Sequence, residues 1–233
     1  SRHDKLWNMQ NDFIVRRLSL LSSYGFLPKT VLDIGAYQGD WTKMIHQIFP
    51  FSKIHMIEAT PTHEYILKNI DEASGYTMAL LGEKSKKSVD FYVANPDQTT
   101  NTTGNSVFIE KTRYFDDSHL VKLPMMTLDE LVEKKKLKNI DFIKIDTQGS
   151  ELNILKGGKK TLKMAEFVLL ETQNLEYNSN APFTEDVIIA MKDYGFRLFD
   201  ILEIHYLGTG ELFQVDLLFA KKSSKFLKKG SLI

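Results

Sequence analysis

The chain has 233 residues, 30 Lys+Arg against 30 Asp+Glu, 42% hydrophobic and 11% aromatic residues, and no cysteine. That length and apolar content supply one large core, so one domain is the simplest count. Zero net charge gives no global reason to expect nucleic acid, an anionic membrane or a polyacidic partner, and the missing cysteine excludes disulfides and thiolate metal sites. No apolar run approaches spanning length and no charged-then-apolar leader is present, so a cytoplasmic location is expected. The chain begins at Ser1, not Met. The sequon Asn101-Thr102-Thr103 is read as chance, because nothing points to secretion.

Residues 6–23 are helical in pattern, with Phe13, Val15, Leu18, Leu20 and Leu21 among the apolar positions, and Gly25 and Pro28 end the run. Residues 1–27 therefore read as a helical extension ahead of a main domain over 28–220. Residues 31–34 form a strand. Trp41, Met44, Ile45 and Ile48 follow at i, i+3, i+4, i+7, the spacing of a helix that buries one face. Residues 54–59 are a second strand, and Thr60-Pro61 reads as an N-cap with proline at the first helical position. Residues 76–81 and 88–94 are two more strands.

Residues 95–120 are rich in Asn, Thr, Asp and Gly and lack a period. Loops that long in compact domains are usually functional or disordered, and an acceptor-side lid is expected here. Phe108, Tyr114 and Phe115 would offer it apolar contact, and Asn105, Ser106 and Arg113 polar contact. Residues 121–126 are strand-like. Thr127 and Glu130 form a capping box, with Met126 and Leu131 as a staple, for a helix to about residue 136. Residues 140–146 make a further strand, Gly149 and Ser150 turn into a helix, and residues 167–172 make another strand. A helix over 184–194 closes at Gly195. Residues 196–207 and 212–220 pair as a hairpin around Gly208-Thr209-Gly210. The basic tail, 221–233, reads as a solvated end.

Strands alternating with helices argue for a mainly parallel sheet with helices on both faces and ligands beyond the strands' carboxyl ends. Asp33, Glu58, Asp146 and Glu171 all fall at or near those ends. The first turn is the informative one. VLDIGAYQGDWT, residues 31–42, is strand, glycine turn and helix start, and Gly35 lets a ligand approach the backbone. Glu58, about 20 residues on, is placed for a ribose diol. A dinucleotide fingerprint reads G-x-G-x-x-G, but here Asp33 takes the first glycine's place, with Gly35 and Gly39 following. A carboxylate there repels a pyrophosphate and suits a cationic amino-acid ligand. The turn therefore favours S-adenosylmethionine, which has an ammonium, a sulfonium and a ribose, over NAD.

VLDIGAYQGDWT, HMIEATP (55–61), MTLDEL (126–131), IDFIKIDTQGSELNILKGG (140–158), VLLET (168–172) and FQVDLLF (213–219) together resemble the FkbM family of methyltransferases over roughly residues 28–220. KIDTQGSE is the most family-specific of these segments. The resemblance implies a class I methyltransferase fold (Rossmann-like, α/β), with a seven-stranded, mainly parallel sheet, the last strand antiparallel, and helices on both faces. It also implies methyl transfer from S-adenosylmethionine, usually to a hydroxyl of a sugar or other small metabolite. This chain has Gln148 where many members carry Glu.

The expected cofactor residues are Asp33, Gly35, Ala36, Gly39, Glu58, Ala59 and Asp146, with Ala79 and Leu80 against the adenine. Asp146 is the first catalytic candidate, ahead of His205 and Glu171. His205 could deprotonate a hydroxyl, though a lone strand histidine is more often structural, as is His119. Glu151 suits the helix dipole, His63 a helix surface, and residues 134–136 a solvated helix end. Asp146 and Glu171 could share a hard cation, but two acids are too few to call a metal site. The expected partner is a small hydroxyl-bearing acceptor such as a sugar, with no nucleic acid and no membrane span. Transfer to nitrogen on RNA or protein, and a fold that has lost turnover, are the alternatives.

Overall fold

Strand β1 (Thr30–Ile34) is buried along its whole length, as a Val-Leu-Ile run between two helical layers must be. The computed structural model describes residues 2–93, 120–175 and 181–228, with side chains from residue 13 onward. Before β1 lies α1 (Arg2–Ser23), ended by Gly25 at φ +96°. After it come α2 (Asp40–Ile48), β2 (Lys53–Glu58), a 3-10 turn (Pro61–His63), α3 (Glu64–Leu67) and β3 (Gly75–Met78). Then follow β4 (Leu80–Leu81), β5 (Lys86–Tyr92), β6 (Leu120–Met126), α4 (Leu128–Lys134) and β7 (Ile140–Ile145). The chain continues with α5 (Glu151–Lys156), α6 (Lys159–Leu162), β8 (Phe167–Gln173), α7 (Thr184–Asp193), β9 (Phe196–Tyr206) and β10 (Leu212–Lys221).

Seven strands form the main sheet in the order β3-β2-β1-β7-β8-β10-β9. The first five are parallel, and β10 runs antiparallel between β8 and β9. This is the class I methyltransferase architecture expected from the sequence. Chain order reverses between β1 and β7, which makes a crevice beyond their carboxyl ends. One face packs α1 and α2 over Ile14, Leu18, Phe26, Ile45, Phe142 and Phe167. The other packs α4 to α7 over Leu131, Ile143, Ile154, Leu170, Val187 and Met191.

The expected strand over 76–81 divides. Met78 ends β3, the Ala79 amide donates to the Glu58 carbonyl at 2.9 Å, and β4 leaves for a second sheet of order β4-β6-β5. The expected strands over 88–94 and 121–126 belong to that small sheet. Alternation records only that one face is covered, not which sheet covers it. The capping box at Thr127 and Glu130 forms as expected. Thr60 makes no side-chain cap; its amide donates to Glu58 instead, at 2.8 Å. The lid expected over 95–120, with Phe108, Tyr114, Phe115, Asn105, Ser106 and Arg113, lies outside the described residues apart from Leu120 in β6, as does His119. Among the described residues, no helix is long and apolar enough to cross a membrane.

Candidate active site

Three strand ends and two turns build a cavity. Gly35, at φ +77°, turns the chain out of β1, and its amide donates to the Ile57 carbonyl at 2.9 Å. A Cβ at this position would overlap the Asp146 carbonyl oxygen, so glycine here lets β1 and the end of β7 approach. Tyr37 is left-handed at φ +51° and points its amide at Glu58 Oε2, 2.8 Å away. Glu58, at the end of β2, also accepts the Thr60 amide and lies 3.6 Å from His63 Nδ1. Burial pushes its carboxyl up, but hydrogen bonds from His63, Thr60 and Tyr37 outweigh that and hold it below the ordinary range. Each of its oxygens retains acceptor capacity for a further donor.

The cavity beyond these ends has about 770 Å³ of empty space, part of it open to solvent. Of the residues assigned to the cofactor from the sequence, Gly35, Glu58, Ala59, Ala79, Leu80 and Asp146 line it. Tyr37, His63, Phe91 and Gln148 line it too, and were not read as site residues from the sequence. Glu58 and Asp146 supply carboxylates to its lining, and Ile57, Leu80, Leu81, Phe91 and Ile154 supply apolar surface. Paired carboxylates around an apolar slot fit a nucleoside that carries a cationic tail: the diol meets an acceptor, the base meets apolar wall, and the cation meets a carboxylate.

Three residues assigned to the cofactor from the sequence, Asp33, Ala36 and Gly39, do not line the cavity. Asp33 is 0% exposed and does not line the cavity. Its side chain turns under the glycine loop, where it accepts the Thr42 hydroxyl at 2.7 Å and the Lys144 ammonium at 3.1 Å. Ala36 packs with Met56 and Leu67 instead of facing the cavity. Gly39, at φ +80°, ends the turn, and a Cβ there would press on Ile70.

Lys144, on β7, carries the electrostatics. Its Nζ also donates to the Gly35 carbonyl at 2.9 Å, lies 3.7 Å from Asp146 Oδ2 and sits 5.8 Å from the centre of the Trp41 ring. Burial alone would lower its pKa; the Asp33 and Asp146 carboxylates raise it and keep the ammonium charged. A charged residue inside IDFIKI is the sequence signal for such a site, since lysine is almost never buried unpaired.

Asp146 is 37% exposed at its side chain. Burial pushes its carboxyl up, but Lys144 and the hydrogen bonds around it hold it down. Gln148, left-handed at φ +55°, donates its amide to Asp146 Oδ1 at 3.4 Å and to Glu171 Oε2 at 3.2 Å. Glu171 sits against Gln148, with its carboxyl raised well above the usual range by burial and by Asp146. Glu151 accepts the Thr147 and Gly149 amides and so fixes the turn that carries Gln148. His205 is not at the cavity; it pairs with Glu203 at 2.9 Å, and that contact raises its pKa. Asp146 and Glu171 hydrogen-bond each other and share the Gln148 amide, and among the described residues no group of three His, Asp or Glu could hold a metal ion.

The family described as Methyltransferase FkbM domain matches residues 33–198, more than two thirds of the chain. A solved FkbM methyltransferase from Methylobacillus flagellatus is similar, at 17% identity and a TM-score of 0.47, over 82% of this chain and 43% of that one. This chain thus spans less than half of that protein's structure. A precorrin-6y C5,15-methyltransferase from Geobacter metallireducens shares the fold at 13% identity and a TM-score of 0.50, over 91% of this chain and 87% of that one. M. capricolum TrmK, solved with S-adenosyl-homocysteine, aligns at 14% identity and a TM-score of 0.47, over 92% and 71%. No curated protein sequence matches.

Proposed function

The chain belongs to the FkbM methyltransferase domain family and its cofactor is S-adenosylmethionine; from that premise we propose that it methylates a hydroxyl of a small acceptor such as a sugar. The observation that carries this reading is Asp146: a carboxylate kept ionised by Lys144, oriented by Gln148 and exposed at the cavity wall. When bound, the cofactor supplies an activated methyl on a sulfonium. A hydroxyl must then be aligned with that methyl and lose its proton, so positioning and a nearby base are the protein's share of catalysis.

Asp146 accepts that proton in this reading, and Glu171, whose carboxyl burial and Asp146 hold well above the usual range, keeps Gln148 in place. Glu58 accepts the ribose hydroxyls. Ala59, Ala79, Leu80 and Phe91 enclose the adenine. Gly35 and Tyr37 shape the floor by their backbone, while Asp33, Ala36 and Gly39 support the loop from behind. His205 serves with Glu203 away from the transferred methyl.

The test is methyl transfer from tritiated S-adenosylmethionine into a cell extract, fractionated into small molecules, RNA and protein. Label is expected in the small-molecule fraction as an alkali-stable ether. Asp146→Asn should remove it while the melting temperature stays near wild type. Label confined to RNA or protein, or carried on nitrogen, would overturn the reading.

A further inference from the structure

Six polar side chains form two rungs across β8, β10 and β9. The registers set Glu171 opposite Asp216 and Asp216 opposite Glu203. The next rung is Gln173 opposite Gln214 and Gln214 opposite His205. All lie on the sheet face of α1 and α2, because alternation puts Leu169 and Leu218, which pack in that core, on the same side. The rungs stand at the carboxyl end of β8, beside Asp146. Like charges directly opposed across strands destabilise a sheet, so the fold does not account for three acids in one rung.

The donors nearby are already committed. Lys144 serves Asp33, Gly35 and Asp146. Gln148 reaches one oxygen of Glu171, which also bonds Asp146; Gln214 bonds Asp216, and His205 pairs with Glu203. Two acceptors are left over. Asp216 Oδ1 is buried with no hydrogen-bond partner. Gln173, only 4% exposed, buries its Oε1 with no partner either. Gln173 stands one rung from Glu171 on the same face. The two orphaned acceptors, Asp216 Oδ1 and Gln173 Oε1, ask for N–H or O–H donors that the described residues do not supply to them.

We propose that this grid is an ammonium subsite of the acceptor: Glu171, Asp216 and Gln173 Oε1 receive the N–H groups of a primary amine on the acceptor while its hydroxyl meets Asp146. The proposal rests on the reading of Asp146 above. A primary ammonium brings three donors and one positive charge, which matches three acceptors in an acidic surround. A neutral hydroxyl matches the hydrogen bonds but not the charge, and a carboxylated acceptor is repelled.

Proton traffic gives the subsite a signature. Burial, Asp146 and Asp216 raise Glu171, and burial, Glu203 and Asp146 raise Asp216. The other ionisable groups facing them are Lys144, Glu151 from α5, His205, and Asp200, which Arg17 of α1 neutralises at 2.7 Å. Binding an ammonium therefore expels protons from the grid, and binding a neutral polyol does not.

The experiment is calorimetry on the full chain saturated with S-adenosylhomocysteine, with glucosamine, glucose and glucuronic acid as probes. Glucosamine should bind about tenfold or more tighter than glucose, with a heat that varies with the buffer's ionisation enthalpy, and glucuronic acid should not bind. Asp216→Asn and Gln173→Met should each abolish the preference and leave S-adenosylhomocysteine affinity unchanged. Glu203→Gln, at the more exposed end of the rung, should weaken the preference even if the buried variants fold poorly. Equal binding of glucose and glucosamine, no glucosamine binding, or a preference that survives Asp216→Asn in a folded protein would each overturn the subsite. Failure of S-adenosylhomocysteine to bind at all would instead strike at the proposed function.

Discussion

Asp33→Asn should cost the protein stability and leave cofactor affinity nearly intact, because this carboxylate serves the sheet and not the ligand. Asp33 is fully buried and accepts from Thr42 and Lys144. Removing one member of a buried ion pair typically costs about 3–5 kcal/mol, through the charge left without its partner. Here Lys144 keeps the Gly35 carbonyl at 2.9 Å and Asp146 at 3.7 Å, and asparagine keeps one acceptor oxygen. Asp33→Asn therefore belongs near the low end, about 3 kcal/mol. Lys144→Met strips Asp33 of the cation it pairs with at 3.1 Å and belongs near the high end, about 5 kcal/mol. The double variant removes both charges together and should cost at least about 1 kcal/mol less than the two singles added. Urea denaturation with an unchanged slope measures all three, and calorimetry with S-adenosylhomocysteine measures affinity in the folded fraction. An Asp33→Asn protein with the wild-type urea midpoint and a tenfold or larger loss of affinity would refute the reasoning.

Glu58→Ala should weaken S-adenosylhomocysteine binding by about tenfold to a hundredfold in calorimetry, the worth of a charged hydrogen bond. Gly35→Ala should lower the melting temperature well beyond an ordinary surface change, because the added carbon meets backbone at Asp146 and not a side chain that could move aside. His55, buried against the Thr77 hydroxyl at 2.8 Å, has its pKa lowered to about 4 by burial and then by Lys135. The unfolded chain thus binds more protons between about pH 6.5 and 4, and stability should fall as pH drops through that window, by up to about 3 kcal/mol. A pH series of urea midpoints reads this, and His55→Gln should flatten it. Thr127→Ala should cost about 1 kcal/mol in the same assay by removing the α4 cap.

The architecture was legible because local signals agreed. The run over 31–34, the glycine turn and the Trp41-Met44-Ile45-Ile48 stripe each demand their neighbour, and Thr127 with Glu130 demands a helix start. The place of Glu58, Ala79, Leu80 and Asp146 at the cavity was legible because in this fold a strand's carboxyl end is a position in space. Asp33 was misread for a related reason. A strand end states where the backbone stops, but alternation sends the side chain to a face, and this one faces α2 and Lys144. The rung of Glu171, Asp216 and Glu203 could not be read in advance, since it exists only once β10 inserts between β8 and β9.

These residues also explain why affinity, stability and turnover must be measured separately in this protein. Asp33, Lys144 and Asp146 form one charged row across the point where β1 and β7 diverge. The cation that stabilises the sheet through Asp33 is the same cation that lowers the Asp146 carboxyl. If Asp146 takes the acceptor's proton as proposed, loss of Asp33 should let Lys144 lean wholly on Asp146, make that carboxylate a weaker base and lower turnover with no ligand contact broken. Glu58 has no such link: its partners are Tyr37, Thr60 and His63 on the other side of the crevice. A defect that appears in turnover and stability but not in affinity therefore traces to the β1–β7 row, and one that appears in affinity first traces to the end of β2.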